Sequence, residues 1–279
     1  MPDCPLPLAK LPSLRVLLPA VKLFDPIPPR TIPPNAITAT AMSFGMASIY
    51  LSLSGGALAD AAWFVLIAVL LDKLDGSIAR ALKGSSEFGV QFDSFADAVA
   101  FGTAPAALVF AAARSLTPQT WGPGAQVLGV LPATPVLAAI CLAYAVMTSV
   151  RLARFNVTTE ANGPYLFLGL PSTLSGGLLA SAFLTIGELG LPLGLHALFP
   201  LALVLNAALM VSNLPLPKFK PSARKPLRVL QFGAATAVYL LIPLRVGFTA
   251  VLLMLLVYLA LGFSYLGPKM LAEHRAARA

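Results

Sequence analysis

Charge is scarce in this chain. Of 279 residues only 11% are Asp, Glu, Lys or Arg, and 58% are hydrophobic. An ordinary soluble domain carries about 25% charged and about 45–50% apolar residues. A soluble globular class is therefore excluded at the level of composition, and a membrane protein is expected. Histidine and cysteine are also sparse, with two of each. His196 and His274 stand far from each other and from any partner motif, which argues against a histidine-based metal or catalytic site. Cys4 and Cys141 have neither metal-ligand spacing nor a disulfide framework and are expected to be structural. After Asp97 there is no aspartate at all; the later acids are Glu160, Glu188 and Glu273. A clean apolar run behind a basic start is missing as well, since prolines interrupt the N-terminal region, so no cleaved signal peptide is expected.

What is present is apolar sequence in lengths that suit a bilayer. A spanning helix needs about 20 mostly apolar residues. Eight segments are candidates: 35–53, 57–82, 92–113, 135–155, 171–188, 195–213, 228–243 and 246–265. Gly55-Gly56, Gly122-Pro123-Gly124 and Pro215–Pro217 punctuate the gaps between them. The net charge is +8. Because the basic residues lie between apolar runs, they read as topology signals and contacts to anionic lipid rather than as a nucleic-acid surface. With eight spans and a cytoplasmic N-terminus, all of the 19 Lys and Arg except Arg114 and Arg245 fall on the cytoplasmic side. The expected fold is thus all-α: a polytopic bundle of about eight transmembrane helices with both termini cytoplasmic. It divides into an N-terminal segment 1–34, a six-helix core 35–214 and a basic loop with two further helices and a tail, 215–279. Residues Leu11–Phe24 suit either an interfacial helix or a tail broken by Pro12 and Pro19.

The few acids are not scattered. Asp72, Asp75, Asp93 and Asp97 fall within the stretch LDKLDGSIARALKGSSEFGVQFDSFADAVAFG, Leu71 to Gly102. Helical spacing puts Asp72, Asp75, Gly76 and Ala79 on one face, and Gly89, Asp93, Ala96, Asp97 and Ala100 on one face of the next helix. The Lys83–Ser86 turn would bring the two acid pairs together at the cytoplasmic end. Four close carboxylates near a bilayer repel and must be neutralised. Two divalent ions would balance them, and all-carboxylate ligation favours hard ions such as Mg²⁺, Mn²⁺ or Ca²⁺. Such a pair suits substitution at phosphorus. Helix–helix pairing of these acids with Lys73, Arg80 or Lys83 is the plainer alternative, but it does not account for the interleaved small residues.

The pattern D-x2-D-G-x2-A-R-x8-G-x3-D-x3-D, filled by Asp72, Asp75, Gly76, Ala79, Arg80, Gly89, Asp93 and Asp97, resembles the signature of the CDP-alcohol phosphatidyltransferase family. Phe88–Ala106, Arg151–Asn156 (RLARFN), Gly169–Ser172 (GLPS), Pro34-Asn35 with Thr38, and more weakly Leu209–Lys220 are similar to segments of its membrane-embedded phosphatidylserine synthases. One departure is Thr173, where that subfamily usually has proline. The resemblance implies transfer of a phosphatidyl group from CDP-diacylglycerol to L-serine at the cytoplasmic face of the inner membrane, in a homodimer. Asp72, Asp75, Asp93 and Asp97 would be metal ligands, with Asp97 also the base. Asn35, Thr38, Gly76, Ala79, Arg80 and Gly89 would serve the donor. Arg151 and Arg154, three residues apart on one helix face, suit the carboxylate of serine, because guanidinium donors form a fork. Asn156 and Ser94 are further acceptor candidates.

Three rival readings differ in what they require. A phosphorylated acceptor such as glycerol phosphate or inositol phosphate would need a denser basic pocket. A membrane prenyltransferase would need a second, distant aspartate motif, which the absence of aspartate after Asp97 excludes. A divalent-cation transporter would place its acids near the midplane rather than at one face.

Overall fold

The structure is a computed structural model that describes residues 28–115, 134–162, 166–217 and 225–269. The segment 11–24, read as either an interfacial helix or a tail, the loop residues Lys218, Lys220 and Arg224 and the C-terminal tail from 270 onward lie outside the described residues.

The described chain is mostly helical. A 3-10 turn at Pro29–Thr31 leads into α1 (Ile32–Leu53), followed by α2 (Leu58–Ala81) and α3 (Glu87–Asp97). A π-helical segment, Ala98–Thr103, joins α3 to α4 (Ala104–Ser115) without a break. Next come α5 (Thr134–Asn162), a short strand β1 (Leu166–Leu168) and α6 (Ser172–Glu188). A 3-10 turn at Leu193–Leu198 opens α7 (Phe199–Val211), then strand β2 (Pro215–Pro217), α8 (Lys225–Leu241) and α9 (Phe248–Leu261).

Among the described residues, five helical stretches are long and apolar enough to cross a membrane: Pro29–Leu53, Glu87–Ser115, Thr134–Val157, Leu193–Val211 and Phe248–Lys269. They mark an integral membrane protein. Three of the eight expected spans do not meet that measure, for local reasons. α2 carries Asp60, Asp72, Lys73, Asp75 and Arg80 within its length; α6 has only 17 residues; and the apolar part of α8 is confined to Gln231–Leu241. Large apolar side chains such as Leu142 and Val146 on α5 and Leu253 and Val257 on α9 face outward. In water that surface would be a liability; against acyl chains it is the expected one.

α1 packs along α2, α2 along α6, α6 along α9, and α5 along α7, with the π-helical segment at the centre touching α1, α5 and α6. Small residues make this approach possible. A Cβ at Gly45 would lie 2.7 Å from Ala100 Cα, and one at Gly176 would lie 2.9 Å from the Phe101 ring. The buried core follows this seam through Val65, Leu66, Phe101, Leu108, Tyr144, Leu179 and Leu203.

Pro105 explains part of the irregularity at the centre. It has no N–H to offer the carbonyl of Phe101, its i−4 partner in an α-helix. That carbonyl instead accepts a hydrogen bond of 2.9 Å from the buried Tyr144 hydroxyl.

β1 and β2 pair antiparallel, with Leu166 opposite Pro217 and Leu168 opposite Pro215. The pair brings the chain before α6 alongside the end of α7. Gly169, at φ +77°, turns the chain there, and a Cβ would sit 2.4 Å from the Met210 carbonyl oxygen. Glycine is therefore required on two grounds, conformation and space, and this turn fixes where α6 begins.

At the end of the bundle away from the aspartates, the α8–α9 hairpin is tied to the rest by polar bonds. The Trp63 indole donates to the Ile242 carbonyl at 2.7 Å, and Arg245 pairs with Asp60 at 2.7 Å. Glu188, at the end of α6, accepts from the backbone N–H groups of Gly247, Phe248 and Thr249 at 2.7, 3.2 and 2.7 Å. A carboxylate from one helix thus caps the N-terminus of another.

Candidate active site

The turn between α2 and α3 makes the site possible. Lys83 adopts φ +50°, and Gly84 lies so close to the Arg30 carbonyl oxygen that a Cβ would approach it to 2.3 Å. The chain then re-enters a helix at Ser86, whose hydroxyl accepts from the Gly89 N–H at 3.0 Å as an N-cap. The tight reversal sets α3 against the last turns of α2.

Asp72, Asp75 and Asp93 converge there: one carboxylate oxygen from each lies within 4.8 Å of the other two. Two of the three are held by neighbours. Asp75, buried, accepts from the Thr38 hydroxyl at 2.6 Å. Asp72 accepts from Lys73 at 2.7 Å and from the Thr173 hydroxyl at 3.3 Å. Three carboxylates at this separation with a single adjacent ammonium are under-neutralised. A hard divalent cation fits such an oxygen set.

Asp97, also buried, lies one turn on from Asp93 on α3. Its Oδ2 accepts from the Ser172 hydroxyl at 3.0 Å, and Ser172 in turn accepts from Arg151 at 3.1 Å. Arg151 is itself buried, with its guanidinium 5.1 Å from the centre of the Phe155 ring. Of the four expected ligands, three have oxygens within 4.8 Å of one another, and the fourth, Asp97, also bonds Ser172 of α6.

Thr38 bonds Asp75 directly. A Cβ at Gly89 would meet the Asn35 side-chain oxygen at 3.1 Å, so the absent side chain leaves room beside α1. A Cβ at Gly76 would lie 3.4 Å from the Arg80 guanidinium, which folds back over that glycine, and Arg80 also reaches Ser77 at 3.3 Å. Ala79 follows Gly76 on the same helix face, three residues on. Asn156 donates to Ser94 at 2.9 Å, linking α5 to α3.

Arg154 is placed differently from the expectation. Its guanidinium donates to the carbonyls of Val211, Leu168 and Ser212 at 2.8, 3.0 and 2.9 Å. These bonds fasten the end of α7 and the β1 strand to α5. They occupy the fork that was expected to grip an acceptor, which leaves Arg151 as the arginine directed at the carboxylates. Ser172 and Thr173, which touch Asp97 and Asp72, carry little signal of a site role in the sequence. The GLPS resemblance and the departure at Thr173 are the signals there.

A family model described as CDP-alcohol phosphatidyltransferase matches residues 31–217, which contain all of these residues. The chain belongs to that family. Among similar proteins is a CDP-diacylglycerol–serine O-phosphatidyltransferase of Helicobacter pylori, 33% identical over 70% of this chain and 76% of its own length. A protein of the same name from Mycobacterium leprae is 29% identical over 88% of this chain and 78% of its own. An archaetidylserine synthase of Methanothermobacter thermautotrophicus is 33% identical over 73% of each. As a member of the family, the chain is a transferase of phospholipid biosynthesis that acts on a CDP-alcohol.

Proposed function

We propose that the chain transfers the phosphatidyl group of CDP-diacylglycerol to L-serine, giving phosphatidylserine and CMP. The observation that carries this reading is the convergence of the acids: a trio at Asp72, Asp75 and Asp93, with Asp97 one turn on from Asp93 and joined through Ser172 to Arg151. Serine is supported by the names of the similar proteins, which include a serine acceptor whether the lipid is phosphatidyl or archaetidyl.

Asp72, Asp75, Asp93 and Asp97 would hold one or two divalent ions, Mn²⁺ or Mg²⁺ with Ca²⁺ as a further candidate. Bound there, they would neutralise the donor diphosphate and the phosphate of departing CMP. This chain's own residues do the rest. Thr38 and Thr173 orient the carboxylates of Asp75 and Asp72. Gly76 and Gly89 leave space for the donor beside Arg80 and Asn35. Asp97 takes the proton from the serine hydroxyl as its oxygen bonds to the phosphorus that bears the diacylglycerol. The bond from that phosphorus to the CMP oxygen breaks, and the electron pair leaves with CMP. Arg151 meets the serine carboxylate; Ser94 and Asn156 line the same side.

This reading includes a span count of eight, with α2, α6 and α8 crossing alongside the five long apolar stretches, both termini cytoplasmic and the aspartates at the cytoplasmic face of the inner membrane. There a soluble amino acid can meet a lipid-bound donor. It also includes a homodimer and a division at residues 34 and 214 into entry segment, core and two added helices. The deciding experiment is CMP release by the detergent-purified protein given CDP-diacylglycerol with Mn²⁺ or Mg²⁺. Serine should support release. Release with glycerol phosphate or inositol phosphate and none with serine would overturn the acceptor assignment.

A further inference from the structure

Below the tier formed by Asp97, Ser172 and Arg151, the same three helical elements meet a second time. Phe101 follows Asp97 by four residues, Ser175 follows Ser172 by three on α6, and Tyr144 precedes Arg151 by seven on α5, two turns along one face. The Tyr144 hydroxyl donates to the Phe101 carbonyl at 2.9 Å and lies 3.0 Å from the Ser175 hydroxyl. Ser175 is also 2.9 Å from the Asn206 side-chain oxygen, and the Asn206 amide donates to the Ala202 carbonyl at 2.8 Å. Tyr144 and Ser175 are both fully buried. The proton inventory is tight: Tyr144 gives its one proton to a carbonyl that can only accept, so Ser175 shares its own between Tyr144 and Asn206.

We propose that Tyr144 is a positioning residue for the transfer, fixing through Phe101 and Ser175 the depth and rotation at which Asp97 faces Ser172 and Arg151. This rests on the phosphatidyl-transfer reading above. The physical reason lies in the π-helical segment. Its backbone register differs from that of an α-helix, and one residue of register is about 100° of rotation. Asp97 is the residue immediately before that segment. A carbonyl deprived of the Pro105 N–H and of the Tyr144 hydroxyl would be a buried acceptor short of a donor, and the segment would shift to satisfy it. The shift would be felt at Asp97. Asp72 and Asp75, which α2 supplies, would be spared, and Asp93, one turn before Asp97 on α3, would be displaced less than Asp97.

The test is Tyr144→Phe, which keeps the ring and removes the hydroxyl. Misplacement of a reacting group by about 1 Å costs up to about a hundredfold, so kcat should fall by about tenfold or more while the KM for CDP-diacylglycerol stays within about twofold. Ser175→Ala should lower kcat in the same way, and the double variant should be little worse than Tyr144→Phe, because both act through one network. A Tyr144→Phe kcat within about twofold of wild type, or a fall in kcat matched by an equal rise in donor KM, overturns the proposal. Should Tyr144→Phe fail to fold in detergent, Ser175→Ala against Ser175→Thr carries the test. Threonine, which keeps the hydroxyl, should restore the rate that alanine loses, and equal rates for the two overturn the idea. Rates are compared on whichever alcohol the wild-type protein uses, so failure of serine as acceptor sinks the function proposed above and leaves this comparison standing.

Discussion

The Thr173 hydroxyl donates to Oδ2 of Asp72 at 3.3 Å, across 101 positions of sequence, and fastens the first turn of α6 to the last turns of α2. Thr173→Val keeps the shape and deletes the donor. Loss of a partner that orients a metal-binding carboxylate typically weakens metal use by about tenfold to a hundredfold. The Mn²⁺ concentration for half-maximal CMP release should therefore rise by that order, with maximal rate at saturating Mn²⁺ largely retained. An unchanged Mn²⁺ requirement would show that the bond has no bearing on metal affinity.

Asp97 and Asp75 should fail differently. Asp97→Asn removes the proposed base and should lower turnover by about a hundredfold to ten-thousandfold while donor binding persists. Asp75→Asn disturbs the trio and should weaken metal-dependent donor binding as well as turnover. Binding of CDP-diacylglycerol measured separately from CMP release distinguishes the two. Full turnover by Asp97→Asn would remove it from the base role.

The two arginines of α5 should also part company. Arg151→Ala should raise the serine requirement by about tenfold or more, the loss of one charge-assisted contact, with the donor KM little changed. Arg154→Ala strips donors from the Val211, Leu168 and Ser212 carbonyls. Its first effect should be a lower midpoint of thermal unfolding in detergent. If Arg154→Ala raises the serine requirement at unchanged stability, the assignment of the two residues is reversed.

Glu188 offers a control remote from the aspartates. Glu188→Ala uncaps α9, and loss of an N-cap costs about 1 kcal/mol. The unfolding midpoint should fall by a few degrees, with kcat and both KM values unchanged. A change in kcat at unchanged stability would mean that the far end of the bundle is coupled to transfer.

How much of this was legible in the sequence follows from the kind of signal each feature leaves. Asp72, Asp75, Asp93 and Asp97 stand out because a carboxylate inside an apolar run is costly and its helical spacing is regular. The helices of the core were readable for the same reason, from runs of apolar residues. Ser172 and Thr173 leave no such mark, because a hydroxyl at a helix start is common. Only the pairing of β1 with β2 and the turn at Gly169 aim them at the acids. The β pair itself is three residues per strand, with Pro215 and Pro217 in one of them, which no alternation pattern reveals. Arg154 has the sequence of a charged anchor or a carboxylate grip, and its carbonyl partners come from two separate segments that only the fold unites. Tyr144 reads as core, since its hydroxyl matters only once Pro105 leaves the Phe101 carbonyl short of a donor.

The hydrogen bonds of Thr38 to Asp75, Thr173 to Asp72 and Ser172 to Asp97 come from outside the stretch that carries the acids, one from before it and two from after. The signature is consequently not a portable cassette. Residues 72–97 grafted onto another helical hairpin would bring every acid and none of the hydroxyls that aim three of them.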